Sequence, residues 1–462
     1  MLGISTYAPA WVKTNTKRFP RAKLCKAGGI LETADVVSIF HDEAPKADAK
    51  AFSTLMRHIK EIDEGHSTVI MVQVENETGL LGDSRDGSSA AEKRFHESVP
   101  AELVEYIATN RDTLHPDFQK SLTAFQTGKG RSTWEDVFGK SAQTDEIFMA
   151  YHYARYLDQV AAAGRREYDI PLYTNVWQNY FGSDNDLTAP VIVGGGGDPG
   201  DYPSGGGTSR VLDIWTHFAP SLDFVAPDVY LNDYASSCSK YRHLNQPLFI
   251  PEQRRDEYGA RRIWTAFGSY QCLGTSPFGI DTLEPESNPF TRHYGLLSRV
   301  QQIVLEAQRR PGSSMGFFFD EVTGDSYQDS KAHIARFGDF EVRIERAFVF
   351  GKPGPGAGMI IHLQGAKFLL IGWGFQAVFK SVSPKSTFTG ILSMVEKEVT
   401  DVKTGELKTL RTLNGDETRS GKFCIMPNED PDYGGFPICV TIPARTMISE
   451  VEVYSLEDDE DS

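Results

Sequence analysis

Cysteine is scarce in this chain: five occur among 462 residues, odd in number and widely scattered (Cys25, Cys238, Cys272, Cys424, Cys439). No Cys-x-x-Cys pair exists, so the common zinc and redox motifs are excluded, and buried free thiols in a reducing compartment are the expectation. No run of about 18 apolar residues is present, so no transmembrane helix is expected. The first residues, Met1-Leu2-Gly3-Ile4-Ser5, lack the basic start and long apolar stretch of a signal peptide. The eleven histidines form no H-E-x-x-H or other metal spacing. Repeats of 20–50 residues are also absent. Positive charge is in deficit, the formal net charge being -16, which argues against nucleic acid as a partner because phosphate binding needs clustered Lys and Arg. Part of the negative charge lies in the terminal run Glu457-Asp458-Asp459-Glu460-Asp461, which reads as a solvated tail.

What the chain does contain is ordinary for a globular protein: 40% hydrophobic and 24% charged residues, over a length that suggests two or three domains. From about residue 45 to 310, short apolar runs alternate with helical patterns, the signature of βα units around a parallel sheet. Phe52, Leu55, Ile59 and Ile62 mark one helix face. Ile147, Tyr151, Ala154, Leu157 and Val160 mark a second, with Gly164 placed to end it. Leu296, Val300, Ile303 and Ala307 mark a third, which Pro311 stops. Buried strands are expected at Val69–Val74, Leu172–Val176, Phe224–Ala226, Leu248–Ile250 and Ser276–Ile280. Each ends in polar or aromatic residues, as strands do at the chemically active face of a (β/α)8 barrel. After Pro311 the period changes to two, as in Phe340, Val342 and Ile344, and strands are expected near 359–363, 367–379, 393–402, 407–413, 436–442 and 449–455. This predicts an all-β, sandwich-like domain. The expected division is a partial (β/α) barrel over 1–310, a connector over 311–335, the β domain over 336–456 and the tail over 457–462.

Two carboxylates stand at strand ends. Glu77 follows Val74-Glu75-Asn76 and precedes Gly79; Glu252 follows Pro247-Leu248-Phe249-Ile250-Pro251. Glycoside hydrolysis needs one carboxyl that is protonated near neutral pH and one that stays ionised, about 5–5.5 Å apart in retaining enzymes. Taken alone, Glu77 equally fits the start of a solvated loop, and Asn-Glu recurs at Asn428-Glu429 with no strand before it. Glu252 equally fits an exposed member of the charged cluster Glu252-Gln253-Arg254-Arg255-Asp256-Glu257, whose arginines would hold a carboxylate ionised. Trp177 suits either a sugar face or the core, and Tyr230 either a hydrogen bond near Glu252 or the wall. The glycine run Gly194–Gly200 lacks the Gly-Lys-Ser/Thr of a phosphate loop and reads as a barrel loop.

The run Met71-Val72-Gln73-Val74-Glu75-Asn76-Glu77-Thr78-Gly79 resembles the acid/base segment of family 35 glycoside hydrolases, the β-galactosidases of the clan-A barrels. Gly200-Asp201-Tyr202-Pro203-Ser204-Gly205-Gly206, Ala226-Pro227-Asp228-Val229-Tyr230-Leu231 and Pro247–Glu252 resemble the same family in the same order, and the C-terminal region resembles the uncharacterised β domain of one microbial branch. The resemblance implies that Glu77 is the acid/base and Glu252 the nucleophile, that Asn76 contacts the sugar 2-hydroxyl, and that a terminal β-galactoside of an oligo- or polysaccharide is the substrate, with neither cofactor nor metal. Tyr230 and Trp177 are the further substrate-site candidates. If Glu77 ends strand four, three βα units should precede it and need at least ~90 residues. Only 76 residues do so, and Ser5–Val12 resembles the family's loop after strand three. An incomplete barrel is therefore expected, lacking its first two to three strands, and any signal segment would lie ahead of Met1.

Overall fold

In a computed structural model, the described residues are 8–127, 132–180, 196–321, 332–347, 354–413, 415–428 and 441–457. The chain divides into two compact units, Met1–Glu252 and Gln253–Ser462, so the expected bound at 310 falls inside the second unit.

The first unit is mixed α/β. It opens with the short helix Ala10–Lys13, an antiparallel hairpin (Arg21–Lys26 with Ile30–Val37) and the helix Glu43–Asp63. Three parallel strands follow in chain order, Val72–Gln73, Leu172–Trp177 and Phe224–Asp228. The middle strand is sandwiched in register between the others, Val72 opposite Leu172 and Trp177 opposite Asp228. Its residues Leu172, Tyr173 and Val176 are buried, as are Phe224, Val225 and Ala226, which is what a strand with neighbours on both sides requires. Of the expected Val69–Val74 strand only Val72 and Gln73 pair as a ladder, extended by the bond from Val74 N to Tyr173 O. Its outer edge meets no strand among the described residues, and Ile70 is 65% exposed. The bond from Val229 N to Glu252 O (2.9 Å) ties the start of the Ile250–Gln253 strand to the end of the Phe224–Asp228 strand.

The helix Ala142–Arg165 forms because Ser141 caps it, its Oγ accepting from Thr144 N, and because Ile147, Ala154, Leu157 and Val160 fall on one buried stripe. Each such side chain contributes about 1.5–3 kcal/mol on burial. Gly164 does not end this helix. It lies inside the last turn, where a Cβ would come within 2.2 Å of the Phe52 ring, so the glycine serves the close approach of the Glu43–Asp63 helix.

In the second unit, helices Glu257–Tyr270 and Phe290–Gln308 accompany two antiparallel sheets. The six-stranded sheet runs Glu406–Thr412, Ser386–Asp401, Ile448–Glu457, Lys367–Trp373, Gly356–Gln364, Ser314–Phe319. The four-stranded sheet runs Cys424–Ile425, Phe375–Ser381, Phe340–Arg346, His333–Phe337. Side chains of both sheets share one core, in which Val342, Ile344 and Phe379 meet Ile360, Leu370 and Val451. The alternate residues Met359, Ile361, Leu369 and Ile371 point the other way, into a second core with Trp264, Leu296 and Val300. Helices thus cover the back of the six-stranded sheet. The expected strand near 436–442 and the acidic tail beyond Glu457 lie largely outside the described residues. None of the described helices is long and apolar enough to cross a membrane.

Candidate active site

The loop after Val74 is strained. Glu75 (φ 60°) and Glu77 (φ 44°) both occupy the left-handed region that non-glycine residues avoid, at a typical cost of about 1–3 kcal/mol each. Two features hold it in that shape. Asn175, buried in the neighbouring strand, accepts the backbone N–H of Glu77 on Oδ1 (2.9 Å). Gly79 (φ 154°) lies so close to Pro203 that a Cβ would stand 2.5 Å from its carbonyl oxygen, and Leu80 exchanges two backbone bonds with Ser204. The Glu77 and Gly200–Gly206 motifs, far apart in sequence, are therefore packed together.

Asn175 also links the three strand ends. Its Nδ2 donates to Asn76 Oδ1 (3.1 Å) and to Asp228 Oδ2 (2.8 Å). Gln73 Nε2 adds a second bond to Asn76 Oδ1 (3.1 Å), so both of these bonds fall on the amide oxygen of Asn76 and not on its Nδ2. Gln178, just past Trp177, donates to the backbone carbonyl of Asp228 and accepts from Ser237. Tyr230 Oη donates to Glu252 Oε2 (2.8 Å).

These bonds converge on three carboxyl groups. Glu77, Asp228 and Glu252 each place an oxygen within 4.8 Å of the others. Like charges so close in a partly buried site cannot all ionise. Burial, and then the Glu252 charge, push the Glu77 carboxyl up to about 7, although a hydrogen bond from Asp228 acts in the opposite sense. Burial, the Glu252 and Glu77 charges and that same bond raise Asp228 well above the carboxylate range. Asp228 therefore favours its neutral form, while its Oδ2 accepts from Asn175. Burial raises Glu252 as well, but the Tyr230 hydroxyl favours its ionised form and limits the rise. The three carboxylates are also, among the described residues, the group close enough to ligate one cation. Tyr230 and Asn175 already satisfy part of their lone pairs.

All five sequence-identified candidates lie in the first unit. Glu77, Asn76, Tyr230 and Glu252 belong to one bonded cluster with Asn175 and Asp228. Trp177 ends the central strand opposite Asp228, and its buried Nε1 has no hydrogen-bond partner among the described residues. One expectation is corrected: the arginines after Glu252 do not hold its carboxylate. Arg254 pairs with Asp256 (2.5 Å) and Arg255 donates to Gly279 O, so the tyrosine takes the role assigned to them. Sequence reasoning passed over Asn175 and Asp228 as site residues. Their signal was position: Asp228 ends the Ala226-Pro227-Asp228 strand, and Asn175 is a polar residue inside an otherwise apolar strand.

Comparison with known proteins gives one family match, described as a domain of unknown function (DUF5597), over residues 290–425. None of the curated proteins matches the chain. Among solved structures, the β-galactosidase of the psychrophilic Marinomonas ef1 is 13% identical, with 58% of this chain and 42% of that chain covered and a TM-score of 0.34. The β-galactosidase of Bacillus circulans sp. alkalophilus is 14% identical, with 65% and 45% covered and a TM-score of 0.37. The catalytic domain of a β-amylase from Paenibacillus polymyxa is 10% identical, with 59% and 70% covered and a TM-score of 0.34. These structural neighbours are glycoside hydrolases at low identity, and the match spans less than half the length of the first two.

Proposed function

We propose that the protein is a retaining β-glycosidase of the family 35 type that releases terminal β-linked galactose from oligo- or polysaccharides. The observation that carries the reading is the geometry of carboxyls with oxygens within 4.8 Å of one another, in which burial and the Glu252 charge push Glu77 up to about 7 while the Tyr230 hydroxyl donates to Glu252 and favours its ionised form. A neutral acid beside an ionised nucleophile is what double displacement needs, and oxygens this close support direct attack by a carboxylate, as in retaining enzymes.

In the first step Glu252 attacks the anomeric carbon and Glu77 protonates the leaving oxygen. In the second, Glu77 takes a proton from water, which attacks the same carbon and frees Glu252. Asn76 Nδ2 supplies a donor to a sugar hydroxyl, and the Trp177 ring forms part of the wall at the strand end. The βα alternation, with these residues at strand ends, supports a (β/α)8-type barrel, and the two antiparallel sheets sharing a core support a C-terminal sandwich. The match over 290–425 agrees with the resemblance noted for that region. Hydrolysis of an aryl β-galactoside, lost in Glu252→Ala, tests the proposal; an unchanged rate in that variant would rule out the nucleophile.

A second reading has one observation behind it. The described residues before Val72 form a hairpin and two α-helices and add no parallel strand beside Val72–Gln73, which supports an incomplete barrel. A site missing part of its wall would bind galactosides without turning them over. Saturable binding with no hydrolysis would select this reading.

A further inference from the structure

We infer that the first unit carries a second saccharide site, selective for acidic sugars, in the basic cavity beside the carboxylate cluster. The cavity measures about 690 Å³, room for one or two sugar rings. Lys120, Lys140, Arg210 and Lys240 line it, and among the described residues Asp117 is the one carboxylate in the lining. The local balance is positive in a chain whose net charge is -16, so this concavity concentrates anions that the rest of the molecule repels.

The charges are arranged to favour an anion. Asp117 receives Lys120 (3.0 Å), Lys240 (3.0 Å) and the Ser209 hydroxyl (2.8 Å). Burial alone would raise its carboxyl, but these partners hold it well below the ordinary range, so it stays ionised and fixes the two ammonium groups in place. One carboxylate offsets only one of those two charges, and the exposed Lys140 adds to the excess, while Arg210 at the wall is engaged by the Tyr202 hydroxyl and the Glu146 carboxyl. The remaining lining is mixed: Ser141, Gln143 and Asn179 offer groups matched to sugar hydroxyls, and Phe138 and Ala124 offer apolar surface suited to a sugar face.

The cavity is joined to the carboxylate site by short covalent and hydrogen-bonded paths. Asn179 is two residues past Trp177, and its carbonyl accepts from Asn232 Nδ2 (3.0 Å), two residues past Tyr230. The Tyr234–Lys240 helix then runs roughly 10 Å, at 1.5 Å per residue, to the Lys240 ammonium end. The cavity wall at Asn179 and the strand end that carries Trp177 thus belong to one stretch of chain. The ligand class is therefore a saccharide bearing a carboxylate or a sulfate ester, seated beyond the galactoside bound at Glu77 and Glu252. The inference takes from the proposed function only that those carboxylates receive a sugar.

Calorimetric titration of the intact protein with galacturonate, galactose 6-sulfate, galactose and inorganic sulfate tests it. The expected result is that one or both acidic sugars bind at least about tenfold more tightly than galactose, with affinity falling as salt rises from about 50 to about 200 mM. Which one does so identifies the charged group. Lys140 is exposed, so Lys140→Glu should fold; it should weaken the acidic sugar about tenfold or more and leave galactose unchanged, with Lys240→Met as the second variant. Acidic sugars no tighter than galactose, inorganic sulfate binding equally well, or insensitivity to both variants would each overturn the inference. Tight acidic-sugar binding without aryl galactoside hydrolysis would uphold this site and remove the glycosidase reading instead.

Discussion

Replacing Tyr230 by Phe deletes one oxygen and with it the 2.8 Å bond to Glu252. Hydrogen bonds to charged groups contribute about 1.5–3 kcal/mol, and 1.36 kcal/mol corresponds to one pKa unit, so the carboxyl should rise by about 1–2 units. The sign is fixed by which form the bond favours: the hydroxyl donates to ionised Glu252, so its loss favours the neutral acid. A nucleophile must be ionised, and the acid-side limb of kcat/KM against pH should therefore move upward by about 1–2 units. On that limb activity should fall about 10–100-fold, while the change near the optimum stays smaller. The assay is initial-rate hydrolysis of an aryl β-galactoside from acid to mildly alkaline pH, with circular dichroism confirming the fold. An acid limb that stays in place, or moves downward, would refute the assignment of Tyr230 and Glu252.

Other expectations concern the acid and the fold. The alkaline limb of kcat/KM should fall near pH 7, where Glu77 loses its proton; Glu77→Gln should abolish that limb and slow substrates with poor leaving groups far more than activated aryl galactosides. Gly79→Ala should destabilise the first unit by about 1–3 kcal/mol, because the Cβ meets Pro203 in a backbone region L-residues avoid; a melting temperature within 1 °C of the parent, by an ordinary precision of about that size, would contradict the packing. His152, enclosed by the rings of Phe40, Phe148 and Tyr151, is depressed to about 3 by burial and then by Arg94. Its folded pKa lies below the unfolded value of about 6.5, so its contribution is full above that pH and is lost as the pH falls, by about 2 kcal/mol at pH 5. Denaturant titrations at pH 7 and 5 should find that loss smaller by this amount in His152→Phe; an equal loss in parent and variant would contradict it.

Much of this arrangement could be read from residue order. Period and apolar runs located the helices Glu43–Asp63, Ala142–Arg165 and Phe290–Gln308, because each buries one regular stripe. The period-two stretch from Phe340 marked the antiparallel region, because its alternate residues enter a core. Strand-end position singled out Glu77 and Glu252. The rest depended on long-range contacts that leave no local mark. Gly164 looks like a helix terminator until Phe52 is packed against it. The arginines after Glu252 look like its partners until the chain brings Tyr230 to within 2.8 Å. Asn175 and Asp228 acquire meaning only when three strands lie side by side and one amide spans them.

The central claim is that Glu252 attacks sugar while Glu77 supplies the proton, and covalent trapping tests it most directly. The protein would be incubated with an activated 2-deoxy-2-fluoro-β-galactoside, whose glycosyl-enzyme forms faster than it hydrolyses, and then digested for peptide mass spectrometry. The account predicts one added fluorosugar on the peptide containing Glu252, absent from Glu252→Gln. An adduct on any other residue, or hydrolysis of β-galactosides with inversion and no adduct, would contradict it.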